Sequence, residues 1–145
     1  MRVPHGSGAW AGLAGFGFGG LFDAVLVHQL LGWHRVVPGG VTAGGIPVEG
    51  QFQVLMAGLM LTGLVGTWRR RTKAGRRPGH WPGTALIGFG LWHLTDALLF
   101  HALLGLHRVR PDADQPLLWD LGWALVFGLL PVLLGWRAHG PARNS

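Results

Sequence analysis

The chain has 145 residues, 49% hydrophobic and only 12% charged, about half the charged share of an ordinary soluble domain, and that length holds one domain without a separate soluble module. Its net charge of +6 comes mostly from one run, Arg69-Arg70-Arg71-Thr72-Lys73-Ala74-Gly75-Arg76-Arg77, wedged between apolar stretches as a cytoplasmic loop would be, which argues against a nucleic-acid partner. No cysteine is present, so disulfides, thiolate metal sites and cysteine nucleophiles are excluded.

The N-terminus lacks the basic region of a cleavable signal, and the apolar segment after it carries Asp23 and His28. Four apolar stretches follow in order, near Trp10–Trp33, Gln51–Trp68, Gly83–Leu106 and Leu117–Trp136. Each falls within the roughly 17–25 residues that a bilayer crossing needs. Pro131, late in the fourth, predicts a kink of the kind membrane bundles tolerate. Trp10, Trp33, Trp68, Trp81, Trp119 and Trp136 mark the ends of the stretches, as an aromatic belt does. The expected fold is all-α, a four-helix bundle in the lipid bilayer.

Orientation follows from the basic residues. Arg2, the 69–77 cluster, Arg137 and Arg143 fall on one side, and only Arg35, Arg108 and Arg110 on the other, nine against three. Both termini and the central loop are therefore expected in the cytoplasm, with the loops Arg35–Gly50 and Arg108–Pro116 facing outward, in a multi-pass membrane protein.

The first and third stretches repeat one another. Asp23-Ala24-Val25-Leu26-Val27-His28-Gln29-Leu30-Leu31-Gly32-Trp33-His34-Arg35-Val36 aligns with residues 96–109 at a constant offset of 73, with ten identities in fourteen positions. Both copies read D-x4-H-x5-H-R-V; chance similarity between Leu-rich helices would match leucines, not Asp, His, His and Arg in register. Both copies run in the same direction, which predicts two hairpins related by a pseudo-twofold axis along the membrane normal. The Gly-rich segments 15–20 and 88–90 would let the helices approach closely.

Ionisable groups in hydrocarbon cost roughly 2.5–3.5 kcal/mol each, so they point to function. At about 1.5 Å per residue, His28 and His101 lie about 9 Å below the rim histidines His34 and His107, and Asp23 and Asp96 about 16 Å below them. Glu49 and Gln53, spaced i,i+4, and Asp120 return to the outer depth on the second and fourth stretches. Imidazoles with carboxylates and no thiolate suit a transition metal such as Cu, Fe or Zn, and such side chains in a four-helix bundle build di-metal sites. The expected ligands are His28, His34, His101, His107, Glu49 and Asp120, forming one site on the axis or two half-sites. Residues five apart in an α-helix are about 140° out of phase. Asp23 and Asp96, with Gln53, are therefore expected behind the ligands rather than beside them, unless a π-bulge intervenes.

Other functions fit the same residues. A haem b could be held by His28 and His101 as axial ligands, with Arg35, Arg108 and Arg110 near its propionates. The Asp/His ladders could relay protons or cations in a small transporter or channel. Alternatively, the polar groups bond one another and fix helix register with no ligand bound. His93, which has Gly20 in the equivalent place, is expected to pack and to pair with Asp96; His5, His80 and His139 are expected in tails and loops, and Asp112 and Asp114 in a solubilising loop. A metal site open to the outer face implies redox chemistry or metal handling, a respiratory or metal-delivery partner on that side, and room for a homo-oligomer.

At the D-x4-H-Q-L-L-x-W-H pattern the sequence resembles the DUF2243 family of bacterial four-helix membrane proteins, from about Gly15 to Trp136. That family shows D-G-L-F-H at the start of its second span and Y-D-L-V-W-N at the start of its fourth. The matching segments here are Glu49-Gly50-Gln51-Phe52-Gln53 and Trp119-Asp120-Leu121-Gly122-Trp123-Ala124. Glu49 and Asp120 keep the carboxylate, whereas Gln53 and Ala124 replace His and Asn. The resemblance implies the four-helix membrane fold and the polar positions, and brings no activity with it.

Overall fold

The computed structural model describes residues 6–37, 39–73 and 81–138. His5, His80, His139 and the basic connection beyond Lys73 lie outside them. Four long helices make an all-α bundle. Helix α1 runs over Gly6–Asp23 and continues as a π-helix over Ala24–Leu30; α2 is Val48–Lys73. Helix α3 runs over Trp81–Thr95 and continues as a π-helix over Asp96–Leu103. Helix α4 begins at Pro116–Trp123, widens into a π segment at Ala124–Leu129 and ends over Leu130–Ala138. All four are long and apolar enough to cross a bilayer.

The bundle is inverted relative to a soluble protein. Leu30, Val54 and Leu103 are over 70% exposed on its outside, while Asp23, Asp96 and His101 are 2% exposed or less. An apolar exterior fits lipid, and in lipid the polar groups must find their partners inside.

Helix α1 lies between α2 and α3, and α4 packs on α3. Small residues set these distances. A Cβ on Gly15 would collide with the Ala85 backbone, and one on Gly88 with the Gly12 carbonyl. Gly17 meets Met56 and Met60 of α2, and Gly90 meets Gly128 of α4 with equal intimacy. Lipid tails are as apolar as the helices, so close van der Waals packing rather than hydrophobic burial draws the helices together.

The π segments have local causes. Near the end of α1 the Leu31 N–H bonds the Leu26 carbonyl, five residues back, at 2.9 Å, and Leu104 does the same with Leu99 at 2.9 Å. Gly32 and Gly105 follow with φ of 60° and 59°, a conformation that glycine adopts at little cost and that ends a helix. This is why α1 and α3 stop at Leu30 and Leu103, although the apolar stretches run on to Trp33 and Leu106. In α4 the Leu130 N–H bonds the Leu125 carbonyl immediately before Pro131, and the widened turn takes in a residue that fits poorly in an α-turn. The connection after α1, expected as plain loop, carries a small hairpin, Thr42–Ala43 against Ile46–Pro47. Gly44 and Gly45, with φ of 61° and 77°, close it. Gln51 on α2 donates to the carbonyls of Ala43 and Ile46 at 2.7 and 3.0 Å, fixing the hairpin to the helix start.

Candidate metal centre

The phase expectation for a regular helix does not hold. Because the ends of α1 and α3 are wound as π-helices, residues five apart come to one face. His28 Nε2 lies 3.5 Å from Asp23 Oδ2, and His101 Nε2 lies 3.0 Å from Asp96 Oδ2. The aspartates therefore face the deep histidines instead of standing behind them.

Glu49 and Asp120 occupy the other side of the same rings. Glu49 Oε2 accepts from His28 Nδ1 at 2.8 Å, while its Oε1 accepts from the Val36 N–H at 2.6 Å. Asp120 Oδ1 accepts from His101 Nδ1 at 3.1 Å and from the Val109 N–H at 2.8 Å, and its Oδ2 accepts from Arg108 at 2.7 Å. The places expected for the two pairs of carboxylates are thus exchanged: Asp23 and Asp96 face Nε2, and Glu49 and Asp120 hold Nδ1. Gln53 is half-buried one turn along α2 from Glu49, and no hydrogen bond joins it to the histidines among the described residues.

The rim histidines close the cluster. The rings of His34 and His107 stack at 4.4 Å between centroids, and each also meets the rings of His28 and His101. His34 Nδ1 donates to the Val109 carbonyl at 3.0 Å. Burial holds the His34 imidazole neutral, with its pKa lowered to about 4.

A carbonyl or carboxylate oxygen only accepts, so the neutral His34 ring carries its proton on Nδ1 and its lone pair on Nε2. His28 and His101 each lie between two carboxylates, so a neutral ring donates to one and turns the lone pair of its other nitrogen toward the second; with the proton on Nδ1, toward Glu49 and Asp120, the Nε2 lone pairs face Asp23 and Asp96, which are also acceptors. Seven buried side-chain atoms in this cluster have no hydrogen bond: Asp23 Oδ1, His28 Nε2, His34 Nε2, Asp96 Oδ2, His101 Nε2 and both ring nitrogens of His107. Only three others among the described residues share that condition, on Trp92, His93 and Trp123. Asp23, His28 and His34 offer ligand atoms within 4.8 Å of one another, and so do His34, His101 and His107. Asp96 Oδ1 is 3.6 Å from His107 Nε2. Ligands at about 2.05 Å around a tetrahedral ion stand roughly 3.3 Å apart, close to the contacts of 3.0, 3.5 and 3.6 Å.

His28 and His101, the pair expected on the two sides of a haem, both pack against the stacked His34–His107 pair. Arg108 is engaged by Asp120, Arg35 is exposed, and Arg110 lies over the rings of Trp33 and Trp119 at 5.5 and 5.0 Å. His93 is fully buried among Phe22, Phe89, Trp123 and Phe127 and bonds the Phe89 carbonyl at 2.9 Å, one turn back, rather than Asp96. Asp112 and Asp114 are exposed in the connection before α4. Sequence reasoning missed the backbone N–H groups of Val36 and Val109 that orient Glu49 and Asp120; the paired H-R-V ends of the repeat were the available signal.

A family model described as "Predicted membrane protein (DUF2243)" matches residues 11–140. No curated protein and no solved structure matches the chain.

Proposed function

The chain belongs to the DUF2243 family of predicted membrane proteins, and we propose that it binds transition-metal ions, Cu, Fe or Zn, within its four-helix bundle. The observation that carries this reading is the facing of acceptor on acceptor, Nε2 lone pairs of His28 and His101 against Asp23 and Asp96 at 3.5 and 3.0 Å. Two acceptors at that range in a dry interior repel unless a cation lies between them. The ligand atoms fall in two sets that share His34: Asp23, His28 and His34 for one ion, and His34, His101 and His107 for a second, with Asp96 beside His101 and His107. Glu49 and Asp120 orient the deep rings and make them more basic, as carboxylates behind metal-bound histidines do.

The two halves follow from the duplicated motif, with a pseudo-twofold axis between α1 and α3. The excess of basic residues on one side supports an orientation with both termini in the cytoplasm, in a bacterial inner membrane, and the metal site toward the outer face. There it would serve redox chemistry or metal handling with a partner on that side.

Metal analysis of the purified protein, after reconstitution with Cu, Fe or Zn, tests the proposal. The expected stoichiometry is up to two per chain, with about one equivalent lost in His28→Ala and the other in His101→Ala. A stoichiometry near zero in the wild type after reconstitution would overturn it and leave protons as the cations between Asp and His. A Soret band would replace the bare ions with haem.

A further inference from the structure

At the end of the bundle opposite the histidines, α1, α2 and α3 enclose an open-sided cleft of about 780 Å³. That is within the roughly 300–1,000 Å³ usual for small-molecule sites. Its floor is apolar, with Ala11 and Ala14 buried on α1 and Leu64 and Val65 on its α2 wall. Trp68, Trp81 and Arg71 form its mouth, and the Arg71 guanidinium lies 5.1 Å over the Trp81 ring. All six carboxylate side chains of the sequence, Asp23, Glu49, Asp96, Asp112, Asp114 and Asp120, lie elsewhere, in the metal cluster or in the connection between α3 and α4. Arg69, Arg70, Arg71 and Lys73 at the end of α2 have no Asp or Glu nearby to neutralise them.

We propose that this cleft binds one anionic phospholipid, its acyl chain along the Ala11–Ala14 floor and its phosphate on Arg71. Each part of the site matches one part of such a molecule. The floor is apolar where a chain would lie, the tryptophans sit where headgroup and chain meet, and the cation stands at the mouth. Cation–π contact with Trp81 holds Arg71 in place before the lipid arrives. Basic pockets between membrane helices recognise anionic headgroups in this way. The site is remote from the histidines and does not depend on the metal proposal.

The test uses the full chain in detergent, titrated with phosphatidylglycerol, with phosphatidylcholine of the same chain length and with inorganic phosphate. Native mass spectrometry counts the lipid retained and tryptophan fluorescence follows occupancy. One phosphatidylglycerol per chain should be retained, with phosphatidylcholine held at least fivefold more weakly. Arg71→Ala should weaken phosphatidylglycerol about fivefold or more. Val65→Trp, at a wall position 44% exposed, should block it, and Arg137→Ala, exposed on α4 outside the cleft, should leave it unchanged. Equal retention of the two lipids, competition by inorganic phosphate alone, or an effect of Arg137→Ala as large as that of Arg71→Ala would overturn the proposal. Metal content, read on the same samples, should be the same in all three variants.

Discussion

The two carboxylates behind the deep histidines are not equivalent, and their difference can be measured. Glu49 spends one oxygen on His28 and the other on the Val36 N–H, and no Lys or Arg pairs with it among the described residues. In Glu49→Gln the amide oxygen can serve only one of these donors. If it keeps Val36, the amide NH2 meets His28 Nδ1, forces that nitrogen to accept, and moves the ring proton to Nε2, where it blocks coordination. If it keeps His28, the NH2 group opposes the Val36 N–H. Asp120→Asn is gentler, because Oδ1 alone accepts from both His101 and Val109. The amide oxygen can stay there, and the loss falls on Arg108, which is 44% exposed and solvent-screened. Removing a carboxylate from behind a metal-bound histidine costs about 10- to 100-fold in affinity, or about 1.4–2.7 kcal/mol. Glu49→Gln should fall at the upper end and Asp120→Asn at or below the lower. Competition titration against a chromophoric chelator, on detergent-solubilised protein, reads both. An affinity for Glu49→Gln within threefold of wild type, or a larger loss in Asp120→Asn, would refute the reasoning.

Three further outcomes follow from the same geometry. Both ring nitrogens of His107 are buried without a hydrogen bond, so His107→Phe should leave the metal-free protein as stable as the wild type or more so, while lowering metal content; a metal-free loss above about 2 kcal/mol counts against the assignment. The His34 pKa is lowered from 6.5 to about 4, so the unfolded chain binds more protons than the folded one between those values. Its contribution, up to about 3 kcal/mol, is complete above pH 6.5 and is lost as pH falls to 4; urea unfolding of metal-free protein should show that limb flattened in His34→Gln. Gly88→Ala must push a methyl into the Gly12 backbone, whereas Gly58→Ala meets nothing within 4 Å. Thermal melts should show a loss of about 1–3 kcal/mol for the first and almost none for the second.

The four membrane helices were legible because length and hydropathy alone decide them, and the polar residues that the bundle brings together because Asp, His and His recur in register. What could not be read was how the helices are wound. Whether Leu31 bonds back four residues or five is a choice of backbone path, and Leu and Val carry no mark of it. That single choice decides whether Asp23 meets His28, and it exchanged the places of the two carboxylate pairs. The π segment of α4 had a visible cue in Pro131, the other two only the glycines that follow them. The hairpin at Thr42–Pro47 could have been found from Gly44-Gly45 between Thr-Ala and Ile-Pro, but two-residue strands are too short for alternation to show.

A π-turn contains one residue more than an α-turn would use, so each of these helices carries slack. Were the end of α1 to tighten into an α-helix, His28 would swing by about 100° around the axis and part from Asp23, while the spare residue passed into the loop before His34. The same movement is open to α3. On the proposed metal reading, a bound cation would join the two side chains across the slack and hold the helix wide. Loading and emptying the site would then change the winding of the outer ends of α1 and α3, turning occupancy inside the bundle into a displacement at its outer surface.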